Sequence, residues 1–196
     1  MPRIPRLLLI IDGMGDRPVF ELDHKTPLQA ANLPVINQLA KEGQCGTADP
    51  VKPGIVASTV SGTLAILGYD PLEKNVARGV VEALGCGMKI DIGDVAFRGN
   101  WATLDEKGLI VDRRAGRIRE GINELALSIT GQKIDNVRID VAAGTEHRIA
   151  VVIRGPGLQD CVSGSDPGDR FHSGIIPRPI KPLHKNNPKC LHTADL

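Results

Sequence analysis

The stretch Leu7-Leu8-Leu9-Ile10-Ile11-Asp12-Gly13-Met14-Gly15-Asp16 decides the fold class. A branched apolar run without alternation reads as a strand buried on both faces, the pattern of a parallel sheet. Its end, Asp12, then falls where open α/β sheets hold their ligands, outside the carboxyl ends of the strands. Gly13 and Gly15 permit a sharp turn there. A carboxylate in that place suits a divalent metal ion. It also suits an ordinary polar turn, and the segment alone does not choose between the two.

Working outward, Thr26-Pro27-Leu28-Gln29-Ala30-Ala31 has the form of a capped helical turn with proline in its first position. A second helix is predicted from Leu33-Pro34, with Val35, Ile36, Leu39 and Ala40 on one face and Gly43 closing it. Asp49 to Val60 is loop-like. The hydroxyl-rich segment Ser58-Thr59-Val60-Ser61-Gly62-Thr63 then opens the short apolar helix Leu64-Ala65-Ile66-Leu67. A helix N-terminus offers free N–H groups to an anion, and the same hydroxyls also serve as simple caps.

From about Asp91 the texture changes. Strand-like runs occur at Val95 to Leu104, Leu109 to Asp112, Val137 to Ala142 and Ile149 to Ile153, with helical spacing over Ile118 to Ile129 between them. The order β-β-α-β-β predicts a small α+β unit. This unit carries a basic constellation: Arg98 in one strand, Asp112-Arg113-Arg114 ending another, Arg117 opening the helix, and His147-Arg148 heading a strand that ends in Arg154. Guanidinium forks bind carboxylate and phosphate bidentately. The competing reading is a solvated surface paired with Glu120, Glu124 and Asp140. Gly155 to Pro188 is rich in proline and glycine and reads as irregular, and Lys189 to Leu196 as the start of a further element.

The chain has 196 residues, 41% of them hydrophobic and 24% charged, with a net charge of +1. That balance, with aromatics at only 3%, argues against a nucleic-acid-binding surface. No apolar stretch approaches the length that spans a bilayer, and the basic N-terminus lacks a signal-peptide core, so a cytoplasmic protein is expected. The four cysteines (Cys45, Cys86, Cys161 and Cys190) lie far apart and predict neither a zinc site nor a disulfide framework, only buried or inert thiols.

Several blocks occur together in order: Leu9 to Pro18, Lys25 to Leu28, Leu67-Gly68-Tyr69-Asp70-Pro71, Arg78 to Gly85, Ala96 to Thr103, Ile110 to Ile118, Glu146-His147-Arg148 and Gly164-Ser165-Asp166-Pro167. They closely resemble the archaeal-type cofactor-independent phosphoglycerate mutases, members of the alkaline-phosphatase-like metalloenzymes. The resemblance implies a doubly wound phosphatase-like core over residues 1–88, an inserted α+β substrate domain over 89–182, and a return to the core from 183. It implies two divalent metal ions (Mn²⁺, Mg²⁺ or Zn²⁺), with Asp12 and Thr59 among the ligands and Thr59 as nucleophile. Arg98, Asp112, Arg113, Arg117, His147 and Arg148 would bind a small phosphorylated substrate, 3-phosphoglycerate or similar.

Two departures stand out. The family usually reads Gly-Ser-Asp-Thr-Ala-His before its Leu-Ala-Ile-Leu-Gly-Tyr run. Here Thr59 takes the place of the serine, Val60 of the carboxylate and Thr63 of the histidine. Family chains also run to roughly double this length, as expected for a domain pair of ordinary size. The resemblance therefore implies that a C-terminal half or a second copy completes the core, with the chain alone inactive. The alternative is a non-catalytic remnant, or a paralogue that binds a phosphoester or phosphonate.

Overall fold

The apolar run that becomes the heart of a sheet is Arg148–Arg154, not the one at the N-terminus. The computed structural model describes residues 6–11, 13–74, 76–168 and 174–196. They divide into two units, Met1–Ala48 and Asp49–Leu196.

In the first unit, Leu7 to Ile11 form no strand, and their side chains are exposed, Leu7 by 90%. This corrects the expected buried strand. A strand exists only through ladder hydrogen bonds to a neighbour, and no described segment pairs with this one. Among the described residues the unit instead holds a 3-10 turn, Phe20–Leu22, and two α-helices. Helix α1, Pro27–Ala30, opens on a capping box: the Gln29 N–H donates to Thr26 Oγ1 (3.1 Å) and the Thr26 N–H to Gln29 Oε1 (2.9 Å). Helix α2, Pro34–Glu42, has proline in its first position and ends where the Gly43 N–H donates to Leu39 O (2.8 Å). Both follow the sequence signals closely.

The second unit is mixed α/β with an antiparallel sheet. Helices α3 (Thr59–Ile66), α4 (Pro71–Lys74) and α5 (Arg78–Gly85) come first. Strand β1 is Val95–Asn100, and β2 (Thr103–Leu104) pairs with β3 (Ile110–Asp112) in a separate ribbon. Helix α6 (Ile122–Ile129), strands β4 (Gln132–Ile134), β5 (Val137–Ala143) and β6 (Arg148–Arg154), and helix α7 (Pro188–Asp195) follow. The four-stranded sheet runs β1-β6-β5-β4, every neighbour antiparallel.

Alternation gives β6 two different buried faces. Ala150 and Val152, both fully buried, face Ala83 of α5 together with Cys86, Met88, Ile90 and Ala96. Ile153, with Val151 beside it, joins Val95, Val137 and Leu158 on the other side. With both faces covered, the strand reads as a continuous apolar run. Helix α5 lies very close to β1: a Cβ on Gly79 would stand 2.0 Å from Ala96 O and 2.8 Å from Phe97 Cα. Only glycine permits that approach.

Three expectations shift. The helix predicted over Ile118 to Ile129 begins at Ile122, because Gly121 before it takes a left-handed conformation (φ 74°). Arg117 therefore opens no helix; it lies in a 3-10 turn, Ala115–Arg117, with φ 56°. Cys161 and Cys190 form a disulfide across 29 residues, which corrects the reading of four unpaired thiols. Sequence spacing could not reveal it, because the pairing depends on how the irregular segment folds back. Among the described residues no helix is long and apolar enough to cross a membrane.

Candidate functional site

Two groups of residues carry chemistry. The first is the N-terminus of α3. Ser58 is its cap, accepting from the Ser61 N–H (3.1 Å), while Ser61 Oγ accepts from the Ser58 N–H (2.8 Å) and lies 3.0 Å from Ser58 Oγ. This capping box engages both serine hydroxyls. Thr59 stands in the first helical position, exposed, and its hydroxyl makes no hydrogen bond among the described residues. The expected partner, Asp12, lies outside the described residues. Among those described, no group of three or more His, Cys, Asp or Glu side chains could hold a metal ion.

The second group surrounds one end of the sheet. Arg98, on β1, faces Glu82 of α5 with Nε 3.5 Å from Oε2. Asn100 stands opposite Arg148 in the β1–β6 register, so Arg98, Asn100 and Arg148 lie on one face. Arg148 forms no ion pair among the described residues. Glu82 Oε1 and Arg148 Cβ both crowd Gly144, at 3.0 and 3.2 Å from where its Cβ would stand. Arg98 is thus only loosely neutralised and Arg148 is a cation at the head of its strand.

Arg113 is held differently. Its Nε donates to Asp166 Oδ1 (3.0 Å) and an Nη to Oδ2 (2.6 Å), a bidentate pair. Asn100 Nδ2 reaches the same carboxylate at 3.5 Å, and the Gly168 N–H donates to it at 2.8 Å. The Arg113 hydrogen bonds hold Asp166 below the usual carboxylate range, against the upward push of burial. Arg98, Asn100, Arg113, Ser165 and Asp166 border a cavity of about 510 Å³ whose floor is Phe97, Val151 and other apolar side chains of the sheet.

The Asp112 carboxylate accepts the N–H groups of Arg114 (2.8 Å) and Gly116 (2.6 Å), which lowers its pKa and shapes the turn after β3. Arg117 lies in that turn. His147 is 6% exposed; its Nδ1 has no hydrogen-bond partner among the described residues and stands 3.9 Å from Glu146 Oε2. Trp101 donates its backbone N–H to His147 O (2.7 Å), and its indole Nε1 is likewise buried without a partner. Buried polar atoms are seldom left unpaired, and these two are exceptions among the described residues.

Sequence reasoning passed over Glu82, Asn100 and Asp166 as site residues. The signal for Asp166 was its Gly-Ser-Asp-Pro context. Nothing in the spacing pointed to Glu82. Arg154 proves structural: it binds Asp140 Oδ2 (2.9 Å), Asp94 and Lys89 O.

The second unit is a small antiparallel α/β unit in which Arg98 and Arg148 share the sheet face that carries α5, and Arg113 pairs with Asp166 beside the cavity. Comparison with known proteins is specific. Residues 40–196 match the family model described as 2,3-bisphosphoglycerate-independent phosphoglycerate mutase, and the chain belongs to that family. It is 42% identical over 193 residues to a protein of that name from Methanobrevibacter smithii, covering 97% of this chain and 46% of the relative. It is 47% identical over 163 residues to one from Sulfolobus acidocaldarius, covering 82% and 40%. Among solved structures, a cofactor-independent phosphoglycerate mutase from Thermoplasma acidophilum is 42% identical with a TM-score of 0.57, covering 95% of this chain and 47% of that one. A protein from Pyrococcus horikoshii is 35% identical with a TM-score of 0.59, covering 72% and 35%. The chain thus spans about half the length of the curated relatives it matches.

Proposed function

We propose that this chain is the nucleophile- and substrate-bearing part of a phosphoglycerate mutase, interconverting 3- and 2-phosphoglycerate in glycolysis. In this reading residues 1–88 contribute to a phosphatase-like core, 89–182 form the substrate-binding insert, and 183–196 lead back to the core. A missing half or a second copy completes the active site, and the enzyme acts in the cytoplasm.

The observation that carries the reading is the division of labour at α3. The capping box occupies Ser58 and Ser61, which leaves Thr59 as the hydroxyl for nucleophilic work. Thr59 Oγ attacks phosphorus, the ester bond to the glycerate oxygen breaks, and the threonine proton ends on that oxygen. The other glycerate hydroxyl then attacks the phosphothreonine, and its proton returns to Thr59. Arg98 and Arg148 supply positive charge to the phosphoryl group or the carboxylate. Arg113 does so once a ligand anion takes the place of Asp166.

Family resemblance implies two divalent metals. The described residues do not make up a donor set for one, so no step here is routed through a metal. Val60 and Thr63, which stand where the family has a carboxylate and a histidine, favour a second reading, in which the chain binds a phosphoester or phosphonate without turning it over. Mutase assays separate the two, on the longest native form of the protein and on residues 1–196 alone, each with Mn²⁺, Mg²⁺ and Zn²⁺. The enzyme reading predicts metal-dependent turnover in the first and none in the second. It also predicts a loss on the order of 10⁴-fold for Thr59→Ala. No turnover in either, with 3-phosphoglycerate still bound, supports the binding reading.

A further inference from the structure

We propose that Cys161 and Cys190 form a thiol–disulfide exchange site whose oxidised state clamps the segment bearing Asp166, and so holds the Arg113 wall of the cavity in place. The inference does not rest on the mutase reading.

The described part of the segment between β6 and α7 has little regular structure. It carries only isolated bridges, Val162 to Pro182 and Ile175 to Ile110. It is tied down at its two ends. The Leu183 N–H donates to Cys161 O (2.8 Å), the Gln159 N–H to Thr193 Oγ1 of α7 (3.0 Å), and Asn187 Nδ2 to Gln159 Oε1 (3.2 Å). Beside Cys161, Ser163 and Lys181 exchange two more bonds, of 2.8 and 2.9 Å. The disulfide sits at the centre of this knot. Asp166, a few residues beyond Cys161, then grips Arg113. One covalent link therefore runs from α7 through Cys161 to the carboxylate that sets the charge of the wall.

Both sulfurs are buried, Cys161 4% and Cys190 0% exposed. Attack on either needs α7 to lift from Gln159 and Cys161, so the bond resists small thiols and yields to a dithiol that catches the open form. The exchange balances simply. One thiolate of the dithiol attacks a sulfur and forms a mixed disulfide. Its second thiol resolves that intermediate, leaving two cysteine thiols and an oxidised reductant, with two electrons and two protons passed to the chain. The other cysteines stand apart. Cys45 is exposed, and burial, followed by the charge of Glu82, pushes the Cys86 thiol up, so Cys86 remains a protonated, poor nucleophile.

The test uses the 196-residue chain purified without reductant. Alkylation in denaturant, without reductant, and peptide mapping should find Cys45 and Cys86 modified and Cys161 joined to Cys190. Amide hydrogen exchange is then compared before and after a dithiol reductant. Reduction should speed exchange over 158–168 and 188–195 by ~10-fold or more, with the paired amides of β5 and β6 changing much less. Cys161→Ala/Cys190→Ala should exchange like the reduced chain in both conditions, and Cys45→Ser/Cys86→Ser should keep the response. If the alanine pair does not fold, the oxidised and reduced wild-type chains still decide the matter. Alkylation of all four cysteines without reductant would overturn the proposal. So would equal exchange in the two redox states, or a response that persists in the alanine pair.

Discussion

Arg113 grips Asp166 with both arms of its guanidinium across 53 residues of chain, at 3.0 and 2.6 Å. The pair joins the end of the β2–β3 ribbon to the segment after β6. It leaves Arg113 neutralised until a ligand anion displaces the carboxylate. Arg98 and Arg148 are held more loosely.

Acid should weaken this unit in a specific way. Asp166 titrates lower folded than unfolded, chiefly through the Arg113 hydrogen bonds. Its contribution is therefore complete above the ordinary aspartate value, about 3.9, and fades as pH falls through the lower folded value. Asp166→Asn should flatten that acid limb in thermal melts between about pH 5 and pH 2. Because the Asp166 side chain is 45% exposed, the cost at neutral pH should be only ~0.5–1 kcal/mol. A limb unchanged by the substitution would assign the acid loss to other carboxylates.

Asp140 belongs to a structural network. Burial would raise its pKa, yet the hydrogen bonds and charges of Arg138 and Arg154 together hold it down. Arg154→Ala leaves Asp94 and Asp140 short of a partner and should destabilise the chain by ~2–4 kcal/mol, with ligand affinity per folded molecule unchanged. Denaturant melts and phosphate titration check the two halves. A loss of affinity without a loss of stability would return Arg154 to the binding site.

Gly79→Ala should be severely destabilising, by ~3 kcal/mol or more, since its methyl group would overlap the β1 backbone. Gly85, in the same helix, has nothing within 4 Å of its Cβ position. Gly85→Ala should therefore be neutral or stabilising by up to about 1 kcal/mol. Chemical denaturation of the two variants tests whether α5 and β1 meet as described.

Much of this was legible in the sequence where the signal is local. Thr26-Pro27 with Gln29, and Ser58 with Ser61, announced helix starts through hydroxyl and amide groups within a few residues. The strands β5 and β6 lay where branched residues cluster, and β1 where the short apolar run Val95-Ala96-Phe97 begins. What failed was non-local. Leu7 to Ile11 and Ile149 to Ile153 are similar apolar runs, and only the second finds strands on both sides. The edge strand β4, exposed at all three residues, has Ile134 as its single apolar residue and carries no alternating signal. The disulfide, and the partners of Arg98 and Arg113, depend on segments brought together across long stretches of chain. The arginines could be named as a group from sequence, but their order of availability, Arg148 and Arg98 before Arg113, could not.

The central claim is that Thr59 carries the phosphoryl group. It is tested most directly by acid-quenching the longest native form of the protein during turnover of 3-phosphoglycerate with Mn²⁺, then mapping phosphate by peptide mass spectrometry. The account predicts phosphate on Thr59, none on Ser58 or Ser61, and neither phosphopeptide nor 2-phosphoglycerate from Thr59→Ala. Phosphate on either serine, or interconversion that survives Thr59→Ala, would contradict it.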